Sequence, residues 1–171
     1  MSSLAAILAK LDSQFQLAFE ARRPNRTEAA ARAGAVDAYL ERAAALALDG
    51  YDEEALSRHE DAQIAAARSL EALFGARLRS SARTGAHVAH KHFLAAALQA
   101  NGLAAPSIES LVAVTRLRNL VTYDFTAAAP MLDARALDEA LQVSVTIRRG
   151  LREVLDHHDL SRLPPNERLS P

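Results

Sequence analysis

Apolar residues recur three and four positions apart along most of this chain, the spacing of a helix with one buried stripe. A first helix is predicted from a cap at Ser2 or Ser3, with Leu4, Ile7, Leu8, Leu11, Phe15 and Phe19 on its stripe. Arg22-Arg23-Pro24-Asn25 stops it. A second helix, capped by Thr27, carries Val36, Leu40, Ala43 and Ala47 and ends at Asp49-Gly50. Asp52 caps a third, with Glu53 and Glu54 where the helix dipole favours acids. Its stripe passes through Leu56, Ile64, Leu70 and Phe74, and Gly75 terminates it. After a loop or short turn, Ser81 or Thr84 opens a fourth helix that ends at Asn101-Gly102. Ser107 caps a fifth, which holds Ile108, Leu111, Val112, Leu117, Leu120 and Val121 and stops near Phe125. Asp133 caps a sixth, with Leu137, Leu141, Val145, Leu151 and Leu155. Gly150, inside it, weakens it by about 1 kcal/mol relative to Ala.

Short connections make sequential helices antiparallel. The expected architecture is all-α, an up-and-down bundle of about six helices. It forms one domain over residues 1–160, with a flexible tail over 161–171 that contains Pro164-Pro165.

Composition supports the helices and excludes several chemistries. Half of the 171 residues are hydrophobic, alanine is abundant, and Gly and Pro number only six each, which argues against an all-β fold. The absence of Cys removes disulfides, thiolate nucleophiles and Cys-ligated zinc, and fits a reducing cytoplasm. No signal-peptide pattern opens the chain, because Lys10 and Asp12 break its first apolar run. No apolar run approaches the ~20 residues of a membrane span. Arg outnumbers Lys, of which there are only Lys10 and Lys91; with the alanine, this suggests a GC-rich bacterial genome.

The net charge of −1 conceals a local asymmetry. From Ala72 to Ile108 there is no Asp or Glu, while Arg77, Arg79, Arg83, Lys91, His87, His90 and His92 all fall there. Such a window is what a phosphate-backbone contact would need, though it lacks the interleaved aromatics of a base-stacking surface. In a helix His92 stands ~140° from His87 at ~100° per residue, so HVAHKH offers no metal-ligand set. No Glu-x-x-His pair, His-Glu-x-x-His motif, phosphate loop or nucleophile elbow occurs, so neither a metal nor another cofactor is expected.

The fifth helix ends in RLRNLVTYDF, residues 116–125. Arg116, Asn119 and Tyr123 share one face, and two arginines with an asparagine on an apolar helix are costly unless paired or set in a cleft. With the upstream HKHFLAAALQANG and its Pro-containing connection, the stretch resembles the HEPN superfamily of helical bundles. That family's signature is Arg-Asn, a few variable residues, then His, often followed two residues later by Tyr. Arg118 and Asn119 match; Tyr123 stands in the histidine position and Phe125 in the following tyrosine position. The resemblance covers roughly residues 84–125.

The resemblance implies a homodimer whose motif helices meet in a cleft. It also implies, for active members, a metal-independent ribonuclease, often the toxin of a toxin–antitoxin pair, in which Arg and His act on the scissile phosphate. A regulatory bundle of the mannitol operon repressor type is similar too. Tyrosine, with an ordinary pKa of ~10, is a poor base at neutral pH, whereas histidine suits that role.

Three readings follow. The leading one is a cytoplasmic, non-catalytic or degenerate module that binds RNA, nucleotides or a protein partner. Its binding residues would be Arg116, Arg118, Asn119 and Tyr123, extended by Arg77, Arg79, Arg83 and Lys91. The second is an enzyme using Arg118 with Tyr123, His87 or His90. The third is a pure protein-interaction bundle with Arg118 in a buried ion pair.

Overall fold

A computed structural model describes residues 18–79, 86–124, 126 and 134–157. The chain runs β1 (Ala18–Ala21), α1 (Arg26–Leu48), α2 (Asp52–Phe74), β2 (Ala76–Arg79), α3 (Ala86–Ala100), α4 (Ile108–Tyr123) and α5 (Ala134–His157). The described residues are therefore helical apart from one two-stranded ribbon, and α1 to α5 are the second to sixth helices expected from the sequence. The expected first helix lies mostly outside the described residues, as do the caps at Ser81, Thr84 and Asp133 and the tail.

The ribbon corrects two expectations. Ala18 and Phe19 belong to a strand rather than to the end of a helix, and the segment after Gly75 is a strand rather than a loop. The strands pair antiparallel, with Phe19 opposite Leu78 and Ala21 opposite Ala76. In β2 the alternation is exact to the pleat: Ala76 and Leu78 are buried, Arg77 and Arg79 exposed. Four residues are too few for this period of two to stand out in the sequence. A lone two-stranded ribbon is marginal in water; here Leu78 joins the main core, and its N–H donates to Glu71 Oε1 on α2 at 2.9 Å.

Capping follows side-chain chemistry more than the sequence reading did. Asn25, not Thr27, caps α1 by accepting from the Glu28 N–H at 2.9 Å. Tyr51 occupies the cap position of α2 without a side-chain bond, and Asp52, Glu53 and Glu54 fill the first turn. Ser107 caps α4 as expected, accepting from the Ser110 N–H at 3.1 Å. Gly75 ends α2 in the left-handed region at φ 68°, and a Cβ there would collide with the Arg22 carbonyl oxygen and the Pro24 ring.

α2 is the central helix and touches the four others. Its buried positions, among them Leu56, Ala62, Ala66, Leu70 and Leu73, meet Val36 and Leu40 of α1, Phe93, Leu94 and Leu98 of α3, Leu111 of α4 and Ile147 and Leu151 of α5. Gly150 belongs to this packing. It is buried, and a Cβ would stand 2.9 Å from Leu98 Cδ2, so its low helix propensity is exchanged for close approach of α5 to α3.

Polar clamps fix α5 against α1. Arg148 Nε and Arg152 Nη2 donate to the two Asp37 oxygens at 2.5 and 2.6 Å, and Arg26 Nη2 donates to the Leu155 carbonyl at 2.9 Å. α5 thus runs antiparallel to α1. A smaller apolar cluster of Leu56, Val114 and Ala140, with Leu117, Val121 and Leu137 against it, joins the start of α2, the end of α4 and the start of α5.

Candidate functional site

α4 turns Leu111, Val114 and Thr115 inward. By helical geometry its next turn carries the outward-facing motif residues. Arg116, Asn119 and Tyr123 are exposed, Tyr123 by 80%. Arg118 is half-buried, and its Nη1 donates to Asn119 Oδ1 at 3.2 Å, while its carbonyl accepts from Thr122 Oγ1 at 2.9 Å. Arg118 forms no ion pair among the described residues, so its guanidinium keeps donors to offer. Phe125 lies outside the described residues.

The exposed large hydrophobics among the described residues are Leu48, Tyr51, Tyr123, Leu141 and Val145. Leu48 ends α1, Tyr51 precedes α2, Tyr123 ends α4, and Leu141 and Val145 follow the buried Ala140 on α5. The small cluster around Leu56 joins the start of α2, the end of α4 and the start of α5. Tyr123, Leu141 and Val145 thus belong to helix segments that this cluster joins, the end of α4 with Arg118 and Asn119 among them.

The basic segment does not form one patch. Arg77 is exposed on β2, and Arg79 is exposed but donates to Glu20 Oε2 through Nε and Nη2 at 3.2 and 2.9 Å. Arg79 in turn holds the Glu20 carboxyl below its ordinary range, by hydrogen bonding first and charge second. Arg83 lies outside the described residues.

Lys91 corrects the surface reading: it is 1% exposed, in the middle of the bundle. Its Nζ donates to Glu60 Oε2 and Gln63 Oε1, both at 2.6 Å, and to the Leu111 carbonyl at 2.8 Å. Thr115 Oγ1 also donates to the Glu60 carboxylate, at 3.1 Å. Burial pushes the Lys91 ammonium below its ordinary value, and the charge of Glu60 opposes that. An ammonium has three N–H donors, and each has an acceptor here. The charge window missed this because Glu60 lies on another helix, outside the acid-free stretch.

A second polar pair crosses from α2 to α5, where His59 Nδ1 lies 3.0 Å from Ser144 Oγ. Burial pushes His59 below its ordinary value, so the neutral ring is favoured. His59, Glu60 and Gln63 fall in register with Leu56, Ala66, Ala67 and Leu70. That three-and-four spacing is the signal by which their burial could have been anticipated.

His90 is not brought to the motif. His90 is buried with its Nε2 3.5 Å from Glu71 Oε1. Thr115, one turn before Arg118, instead contacts Glu60. Glu60 and Glu71 are separated by about 16 Å of helix at ~1.5 Å per residue. The His87 side chain lies outside what is described, and burial pushes His92 below its ordinary value. No group of three or more His, Asp or Glu among the described residues is placed to hold a metal ion. No described helix is long and apolar enough to cross a membrane.

Neither a protein-family model, nor a curated protein, nor a solved structure matches the chain.

Proposed function

We propose that this protein is a degenerate HEPN-like bundle that binds rather than cuts, and that it acts as a homodimer through the end of the bundle where α4 stops. The observation that carries the reading is the Arg118–Asn119 pair on the surface of α4, on the same helix as an exposed Tyr123 in the histidine position and with exposed Leu141 and Val145 on the adjoining α5. Large apolar side chains gathered at one place mark interaction surfaces. Arginine beside them offers a planar fork for phosphate or carboxylate. In this reading Leu141, Val145 and Tyr123 meet a second copy, and Arg116, Arg118 and Asn119 of both copies face an RNA backbone across the junction. A general base must stand within ~3 Å of the proton it takes, and His90, turned toward Glu71 in the core, supports no such role. The free donors of Arg118 also support this reading over one in which that arginine is locked in a buried ion pair.

The test is RNA cleavage by the metal-free protein beside Arg118→Ala, with RNA binding and sedimentation measured on the same samples. The expected result is intact RNA throughout, a dimer, and salt-sensitive RNA binding that weakens in Arg116→Ala/Arg118→Ala. Cleavage that disappears in Arg118→Ala would refute the non-catalytic reading. A monomer with no RNA affinity would refute the binding reading.

A further inference from the structure

The chain enters α1 through Arg22-Arg23-Pro24-Asn25, at the end of the bundle opposite the α4 motif. This segment is fastened to the end of α2. The Arg22 N–H donates to the Gly75 carbonyl at 2.7 Å, and the Asn25 N–H donates to the Ala72 carbonyl at 2.8 Å. Gly75 permits the contact, since any Cβ there would strike the segment.

Beside it opens a pocket of about 90 Å³, lined by Arg22, Arg23, Arg32 and Arg68 with Glu28, Glu71 and Asn25. Four arginines and two glutamates line it, an excess of two positive charges. Arg32 is paired with Glu28 at 2.8 Å and Arg68 with Glu71 at 3.2 Å. Glu71 is drawn inward as well, by the Leu78 N–H at 2.9 Å. The side chains of Arg22 and Arg23 make no hydrogen bond or salt bridge among the described residues. Asn25 uses its amide oxygen to cap α1, which leaves the amide NH₂ as a donor. The pocket thus combines two uncommitted guanidiniums, a neutral donor and a backbone held in place by its own hydrogen bonds.

We propose that this pocket is a phosphate-binding site, taking the dianionic group of free inorganic phosphate or of a nucleoside monophosphate. The excess charge matches a dianion. Arginine forks pair with phosphate oxygens through two parallel N–H···O bonds, the strong geometry for such contacts. Arg32 and Arg68, already held by their carboxylates, line the same pocket. The first turn of α1 adds a favourable field at the same place, secondary to the guanidiniums. Fastening Arg22–Asn25 to α2 before any ligand arrives reduces the ordering cost of binding. The site is independent of the α4 motif. About 22 Å of α2 lies between Leu56, near the motif, and Glu71, in the pocket, at ~1.5 Å per residue.

The experiment is calorimetric titration of the full chain with inorganic phosphate and, separately, with AMP at low ionic strength. It is repeated on Arg22→Gln/Arg23→Gln, on Arg116→Ala/Arg118→Ala and on Arg135→Gln, an exposed control on α5. Saturable binding is expected, weakened at least ~10-fold in the double variant and unchanged in the control. Tighter binding of AMP than of phosphate assigns the site to a nucleotide; equal affinity assigns it to free phosphate. If circular dichroism shows the double variant unfolded, Arg32→Gln takes its place with the same expected loss. Absence of saturable binding by either ligand overturns the proposal. So does equal affinity in the folded pocket variant, or a loss that appears only in Arg116→Ala/Arg118→Ala.

Discussion

Replacing Lys91 by Met should expose how much of this fold depends on one buried charge. The substitution keeps the length and apolar volume of the stem but removes three donated hydrogen bonds. It takes the ammonium away from the Glu60 carboxylate, which is 2% exposed and also accepts from the Thr115 hydroxyl. Removing one partner of a buried ion pair costs about 3–5 kcal/mol, because the other charge stays desolvated. Against a total stability of ~5–15 kcal/mol for a domain, that is a large fraction. At ~2–4 °C per kcal/mol for a chain of this size, the midpoint should fall by ~6–20 °C. The informative control is Glu60→Gln/Lys91→Met. It removes both charges, leaving Gln63 Oε1 and the Leu111 carbonyl as neutral acceptors without the ammonium, and should regain ~2 kcal/mol or more. Urea and thermal unfolding followed by helical circular dichroism provide both numbers. A Lys91→Met midpoint within ~2 °C of the parent would sink the reasoning. So would a double variant less stable than the single one, since the damage would then not come from a stranded charge.

Two further outcomes follow from described geometry. His59 has its pKa lowered by burial, so its contribution to stability is present above the unfolded value of 6.5 and is lost as pH falls through the folded value. His59→Gln should therefore flatten part of the stability loss measured below that pH, and an unchanged slope would contradict the burial argument. Gly75→Ala should destabilise more than Gly50→Ala by urea unfolding. Both glycines have positive φ, a strain of ~1–2 kcal/mol for other residues, but only at Gly75 does a Cβ meet Arg22 and Pro24; equal losses would refute the steric reading.

The five described helices were legible because their stripes are long and their ends carry Gly or capping side chains. Val36, Leu40 and Ala43, or Gly75 at the end of α2, needed no tertiary information. The ribbon was not legible, because a four-residue strand has too few positions to display its period and its partner lies 55 residues or more away. In the sequence Asn25 reads as part of a helix stop and Thr27 as the cap; both residue types favour caps, and only the backbone turn decides between them. Lys91 shows the limit of reading charge along a line. A residue seen beside histidines in a basic window finds its partners on α2 and α4, one of which is a backbone carbonyl that no composition reveals. The arginine pocket is a similar case. Arg22 and Arg23 read only as a helix stop, and their meeting with Arg32 and Arg68 depends on the chain crossing Gly75.

The clamp of Asp37 by Arg148 and Arg152 has a kinetic consequence. α1 and α2 are joined by a short turn at Asp49-Gly50-Tyr51, so their contacts close small loops and can assemble early. The Asp37 clamp instead joins residues 111 and 115 positions apart, and the loop must be closed before the pair contributes anything. Interactions formed that late are missing from the folding transition state. Weakening them hastens unfolding and leaves the folding rate nearly unchanged. Where α5 grips α1 therefore bears on the lifetime of the folded chain rather than on the speed at which it is reached.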